Sequence, residues 1–167
     1  MGRLFYIMGK SASGKDTIYQ RLLRNPEFSL ERLVIYTTRP IRDGELDGRE
    51  YHFVTEEDFQ KLKAAGKIIE DRGYETVYGL WRYFTADNMD LEEKNYLGIG
   101  TLESYEKLKA YYGEEKIRPI YIEVEDGERL KRAIAREETQ EVPKYEEMCR
   151  RFLADAQDFS EEKIRQA

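Results

Sequence analysis

The sequence predicts an α/β fold, a parallel sheet flanked by helices, and three observations carry the prediction. A short apolar run, Leu4-Phe5-Tyr6-Ile7-Met8, passes through a glycine-bearing loop, Gly9 to Thr17, into a segment with helical spacing, Ile18 to Leu23. From Tyr96 onward, short apolar runs alternate with helical spacing, as parallel crossover units require. Between these parts lies a stretch rich in β-formers and turn residues, read as a small inserted sheet. The 167 residues suit a single domain, 1–167, with room for helices on both sheet faces.

Each element follows from local chemistry. The first helix should end at Asn25-Pro26, because the residue before proline leaves the helical region. Leu33-Val34-Ile35-Tyr36-Thr37 reads as one strand, followed by a long charged turn from Thr38 to Arg49. Tyr51 to Val54 reads as a short strand, with His52 a strand or loop residue. Thr55 caps a helix that runs through Phe59, Leu62 and Ala65 to a stop at Gly66. Ile68-Ile69-Glu70 and Tyr74 to Tyr78 are expected to form a hairpin around Gly73. The remaining elements are strand Tyr96 to Ile99, helix Leu102 to Tyr112, strand Ile117 to Val124 and helix Gly127 to Glu138, with a further helical stretch bearing Arg150 and Arg151.

Composition narrows the function classes. A net charge of −6 argues against a nucleic-acid polymer or an anionic membrane as main partner, so any phosphate binding must come from arginines gathered locally. With Cys149 the only cysteine and His52 the only histidine, disulfide frameworks, thiolate metal sites and Ser-His or Cys-His relays have no material. The first apolar run is too short for a signal peptide or membrane span, so a cytoplasmic location is expected.

The loop Gly9-Lys10-Ser11-Ala12-Ser13-Gly14-Lys15-Asp16-Thr17 has the order a phosphate cradle needs. Gly9 and Gly14 let the backbone curl so that N–H groups point at phosphate oxygens, the following helix adds its positive end, and Lys15 reaches the outer phosphates. The bland alternative is a tight strand-to-helix turn with a solvated lysine. Asp16 stands where such loops usually place Ser or Thr, whose hydroxyl ligates Mg²⁺. Its carboxylate can hold Mg²⁺ itself, or it can simply favour the helix N-terminus electrostatically.

Arg39 and Arg42, three residues apart in the charged turn, could grip a second phosphate; a solvated charged loop is the alternative. The order Thr37-Thr38-Arg39-Pro40-Ile41-Arg42-Asp43-Gly44-Glu45, then Asp47-Gly48, Tyr51-His52-Phe53-Val54, Ile69-Glu70 and Tyr78-Gly79 closely resembles the nucleoside-monophosphate-binding region of guanylate kinases, and the resemblance runs from about Leu4 to about Asp158. It implies a P-loop kinase fold with a core at 1–36 and 80–125, an acceptor-binding insertion at 37–79, and a lid with C-terminal helices at 126–167. It also implies the reaction ATP plus GMP to ADP plus GDP, with Mg²⁺ as cofactor and small nucleotides as partners; the alternatives are a P-loop kinase with a different small phosphorylated or hydroxyl acceptor, and a catalytically silent guanylate-kinase-like binding module, against which the intact Lys15 speaks. Gly9 through Thr17 would bind ATP. Arg39, Arg42, Tyr51 and Tyr78 would hold the acceptor phosphate, and Glu70 would accept two hydrogen bonds from adjacent guanine N–H groups. Arg132, Arg136 and Arg151 would be lid arginines that act with Lys15 and Arg42 on the phosphoryl group in flight. Without the resemblance, an amphipathic helix whose arginines pair with Glu128, Glu137 and Glu138 accounts for the same residues.

The chain departs from the family in three places. Ile35 or Tyr36 and Leu80 stand where the family has hydroxyl residues of the base pocket. Leu97-Gly98-Ile99-Gly100-Thr101 lacks the two aspartates that the family carries near metal and guanine, which leaves Asp16 to supply the charge at Mg²⁺. The chain stops at Glu161 to Ala167, where the family continues into a last strand and helix; either it is cut short or its sheet has one strand fewer.

Overall fold

The computed structural model describes all residues, Met1–Ala167. Its elements are β1 (Leu4–Met8), α1 (Lys15–Arg24), β2 (Leu30–Arg32), β3 (Tyr36–Thr37), β4 (His52–Phe53), α2 (Glu56–Ala64), β5 (Ile68–Thr76), β6 (Gly79–Ala86), β7 (Asn95–Ile99), α3 (Leu102–Tyr112), β8 (Ile117–Tyr121), α4 (Asp126–Glu138), α5 (Tyr145–Asp158) and α6 (Glu161–Gln166). They build two four-stranded sheets, ordered β2-β7-β1-β8 and β4-β3-β6-β5. The first is wholly parallel, with β1 at its centre between β7 and β8.

Alternation along the parallel strands sends apolar side chains to both faces, and helices cover each. On one face Ile7 and Leu97 pack with Tyr19, Ile18 and Leu22 of α1. On the other, Leu4, Tyr6, Met8, Tyr96 and Ile117 meet Leu102, Tyr105 and Leu108 of α3, with Phe159 closing the end. The second sheet is mixed, with β3 and β4 parallel and the β3–β6 and β5–β6 pairs antiparallel. Phe59 of α2, wholly buried, packs edge-on against Phe84 at 4.9 Å. Thr55 caps α2 as the sequence predicts, in a reciprocal box with Asp58.

Two elements differ from expectation. The run Leu33 to Thr37 is not one strand: Leu30–Arg32 edges the parallel sheet, and the chain then leaves it so that Tyr36–Thr37 joins the second sheet. A β-branched run reads the same whether it serves one sheet or bridges two. The hairpin does not turn at Gly73, which pairs with Arg82 in mid-strand. It turns at Val77-Tyr78, where Gly79 takes φ 102° and Thr76 Oγ1 donates to the Gly79 carbonyl at 2.7 Å. Strand pairing therefore carries the second sheet from Tyr36 to Ala86, across the boundaries expected after residues 36 and 79. The parallel sheet has four strands with β8 at its edge, and Ile164 of α6 packs on the core beside it. No helix is long and apolar enough to cross a membrane.

Candidate functional site

The loop between β1 and α1 curls because its backbone is held in unusual conformations. A Cβ at Gly9 would come within 2.9 Å of both the Ile122 carbonyl oxygen and Ser13 Oγ, so the loop can start this close to the end of β8 only with glycine. Ala12 and Gly14 have φ of 60° and 84°. Gly14 is the N-cap of α1 and supplies no side-chain cap, which leaves the first amides of the helix open at its positive end. Ser13 Oγ, inside the curl, is the one buried side-chain polar atom without a partner.

Across from this loop stand arginines from the C-terminal helices. Arg132 and Arg136 of α4 line, with Ala12, Gly14, Lys15, Asp16 and Thr17, a cavity of about 240 Å³. Arg136 also borders a smaller cavity that brings in Ser11 from the loop and Arg151 from α5. Arg132 Nε donates to Glu128 at 3.1 Å and Arg151 Nε to Glu147 at 3.0 Å, both across one helical turn and roughly half exposed. Pairs of this kind are worth little in water, so these guanidinium groups can be taken over by a stronger anion at small cost. Arg136 has no ion pair. Lys10 does not face the cavity's cations; its ammonium lies 3.5 Å from Asp126.

The residues expected to hold an acceptor are held differently. Arg39 is 5% exposed and grips Glu45 with both ends of its fork, at 2.6 and 2.8 Å, while Nη1 also donates to the Pro40 carbonyl. Its guanidinium lies 5.1 Å from the centre of the Tyr51 ring and 5.4 Å from that of Phe53. The same pairing, with a hydrogen bond from the Arg42 amide, holds the Glu45 carboxyl at about 2 against an ordinary 4.5. Arg42 itself is exposed, and its side chain makes no ion pair. Glu70 is 6% exposed, accepts from Thr85 Oγ1 at 2.9 Å, and lies 3.6 Å from Arg72 Nε. Tyr78 stands at the hairpin tip, 82% exposed, with its ring stacked parallel on Trp81.

The structure thus gathers Lys15, Asp16 and Thr17 with Arg132 and Arg136, and joins Arg136 to Arg151. It also brings Arg39 onto Tyr51. Arg39, Arg42, Tyr51, Glu70 and Tyr78 line neither of these two cavities. Three contributors are invisible to motif reading. Glu45 locks Arg39 from six positions away. Arg129, 1% exposed, shares the inner stripe of α4 with Ala133, and that i, i+4 pairing was the only signal available. Tyr6 explains Gly98 of β7 and Gly100 just beyond it: a Cβ on Gly98 would lie 2.7 Å from the Tyr6 ring, and one on Gly100 would lie 2.1 Å from its hydroxyl. The phenol therefore fills the space that side chains at both positions would need. Burial, first, and the nearby Glu70 charge push its hydroxyl well above the ordinary tyrosine range.

Comparison with known proteins agrees with this layout. The sequence profile of the family described as Guanylate kinase matches residues 1–162. The chain is similar to the guanylate kinase of Wolbachia sp. subsp. Brugia malayi, with 36% identity over 124 residues, which is 74% of this chain and 60% of that protein. With the guanylate kinase of Porphyromonas gingivalis the figures are 32% over 121 residues, 70% of this chain and 63% of that protein. The crystal structure of guanylate kinase from Anaplasma phagocytophilum superimposes with a TM-score of 0.53 at 25% identity, covering 78% of this chain and 65% of that one. The chain thus spans less than two thirds of the length of each of these relatives. Because the profile takes in the glycine loop, the charged turn and the arginine-bearing helices in one match, the chain belongs to the guanylate kinase family.

Proposed function

We propose that this protein is an ATP-dependent nucleoside monophosphate kinase that acts as a guanylate kinase, converting ATP and GMP to ADP and GDP by in-line phosphoryl transfer. The observation that carries the reading is the cavity in which Arg132 and Arg136 face Lys15 and the open amides of the glycine loop. Cations on opposite walls of one space suit a triphosphate tail, and phosphoryl transfer depends on positioning and charge stabilisation more than on covalent chemistry. Lys15 would reach the outer phosphates, while Arg132, Arg136 and Arg151 would neutralise charge on the group in transit. Arg39, Arg42 and Tyr51 would hold the acceptor phosphate, which is already ionised and needs no general base. Tyr78 would join them from the hairpin tip, and Glu70 would read the base.

Mg²⁺ fits the residues present. It usually keeps several waters and phosphate oxygens and needs only one or two carboxylates, so the lack of any cluster of three candidate ligands does not count against it. Asp16, exposed in the first turn of α1 and lining the same cavity, would be the residue that holds it. When bound, the ion offsets phosphate charge.

A second reading keeps the kinase and changes the acceptor. It is favoured by Tyr6 filling the space above Gly98 and Gly100, and by the partly exposed, apolar Leu80. A coupled ADP-release assay with GMP, dGMP, AMP, UMP and IMP separates the two. GMP is expected to be the fastest acceptor, and Lys15→Met to lower turnover by roughly 10²- to 10³-fold. Folded protein that releases no acceptor-dependent ADP with any of the five would end both readings.

A further inference from the structure

Helices α4 and α5 do more than present arginines: their roots are fastened to the glycine loop through one residue. The Ser11 amide donates to Asp155 Oδ2 of α5 at 2.8 Å, and the Ser11 carbonyl accepts from Arg129 Nη1 of α4 at 3.0 Å. The backbone N–H and C=O of one loop residue, which belong to the two successive peptides that flank it, are therefore taken by side chains from two different helices. Arg129 also donates to Asp126 at 2.7 Å, lies 3.9 Å from Asp155, and places its guanidinium 4.7 Å from the Phe152 ring centre. Asp126 in turn meets Lys10 at the start of the loop. Two cations, Lys10 and Arg129, and two carboxylates, Asp126 and Asp155, balance beside the loop.

A guanidinium this deeply buried is a costly way to join two helices, since apolar side chains of similar volume do so equally well or better. What the charged arrangement adds is direction. Its donors and acceptors fix the two peptides that meet at Ser11, and they fix them relative to the two helices that carry Arg132, Arg136 and Arg151. We propose that Arg129 and Asp155 are positioning residues: a clamp on the backbone either side of Ser11 that sets the curl of the phosphate loop and anchors the arginine-bearing helical hairpin over it. The hairpin then pivots about a docked root, and its arginines approach the loop along one path. This inference rests on reading the loop as a nucleotide site, although the clamp itself does not.

Two measurements keep the clamp and the nucleotide reading apart. In nucleotide-free protein, amide hydrogen exchange across Lys10 to Ser13 should be slow. Arg129→Met, and the milder Asp155→Asn, should speed it about tenfold or more while exchange in β1 and α3 keeps its wild-type rate. The paired variant Arg129→Met/Asp155→Leu, with no charge left unpartnered, provides a folded control if either single change unfolds the protein. With nucleotide, Arg129→Met should raise the KM for ATP about tenfold and leave the KM for GMP unchanged, a split that a general loss of stability would not produce. Unchanged exchange at Ser11 in the folded variants would overturn the clamp. So would a wild-type KM for ATP in folded Arg129→Met. If the wild type binds no ATP, the kinase reading fails, and the exchange data still decide the clamp.

Discussion

The two halves of the site hold their cations by opposite means. Arg39 is buried, forked onto Glu45 and sandwiched near two aromatic rings before any ligand arrives. Arg132 and Arg151 are roughly half exposed, tied only to glutamates one turn away, and Arg136 is tied to none. The first arrangement is organised in advance, and its cost is met during folding. The second is loose and can be recruited when a phosphate enters. In the kinase proposed above, the first would be the fixed grip that presents the acceptor and the second the mobile charge that follows the group being transferred.

Substitutions on the two sides should therefore fail in different ways. Arg136→Met should lower turnover about 10²-fold while stability stays within about 0.5 kcal/mol of wild type, checked by ADP release beside urea unfolding. A large loss of stability there would erase the contrast. Arg39→Met should do the reverse in part, costing about 2 kcal/mol in urea because Glu45 and the aromatic pair lose their partner, in addition to weakening the acceptor. If its unfolding midpoint does not move, Arg39 is not organised by folding. The smallest effect is one of pH. The folded Glu45 carboxyl is held at about 2 against an ordinary 4.5, chiefly by Arg39. Because the folded value is depressed, its contribution is complete above pH 4.5 and is lost as pH falls toward 2. Fluorescence of Trp81, the only tryptophan, should follow that loss in the second sheet, and Glu45→Gln should flatten the response in the same window.

What could be read from the sequence was local. The strand, curled loop and helix around Lys15 are adjacent in the chain, so their order alone identifies them, and Thr55 signals its helix by its own hydroxyl. The helical repeat placed Arg132 and Arg136 on one side of α4. Reading failed where distant residues decide. Ser11 lies 118 and 144 positions from Arg129 and Asp155, and neither separation leaves a trace in a motif. Leu33 to Thr37 looks uniform, yet the chain changes sheets within it. Gly73 resembles a turn residue, but the positive φ is taken by Gly79. Glu70 could pass for a surface carboxylate, and only the packing of β5 against β6 shows it buried on Thr85.

The contact of Tyr6 with Gly98 of β7 and with Gly100 just after it limits how this end of the strand can be altered. Any side chain on Gly100 collides with the phenol at 2.1 Å, so acidic groups cannot be installed there while the ring remains. Removing the ring first would open a void beneath α3. A carboxylate at Gly98 or Gly100 therefore calls for a second replacement at position 6. A library that mutates one codon at a time would not supply both changes, whereas one that randomises positions 6, 98 and 100 together could.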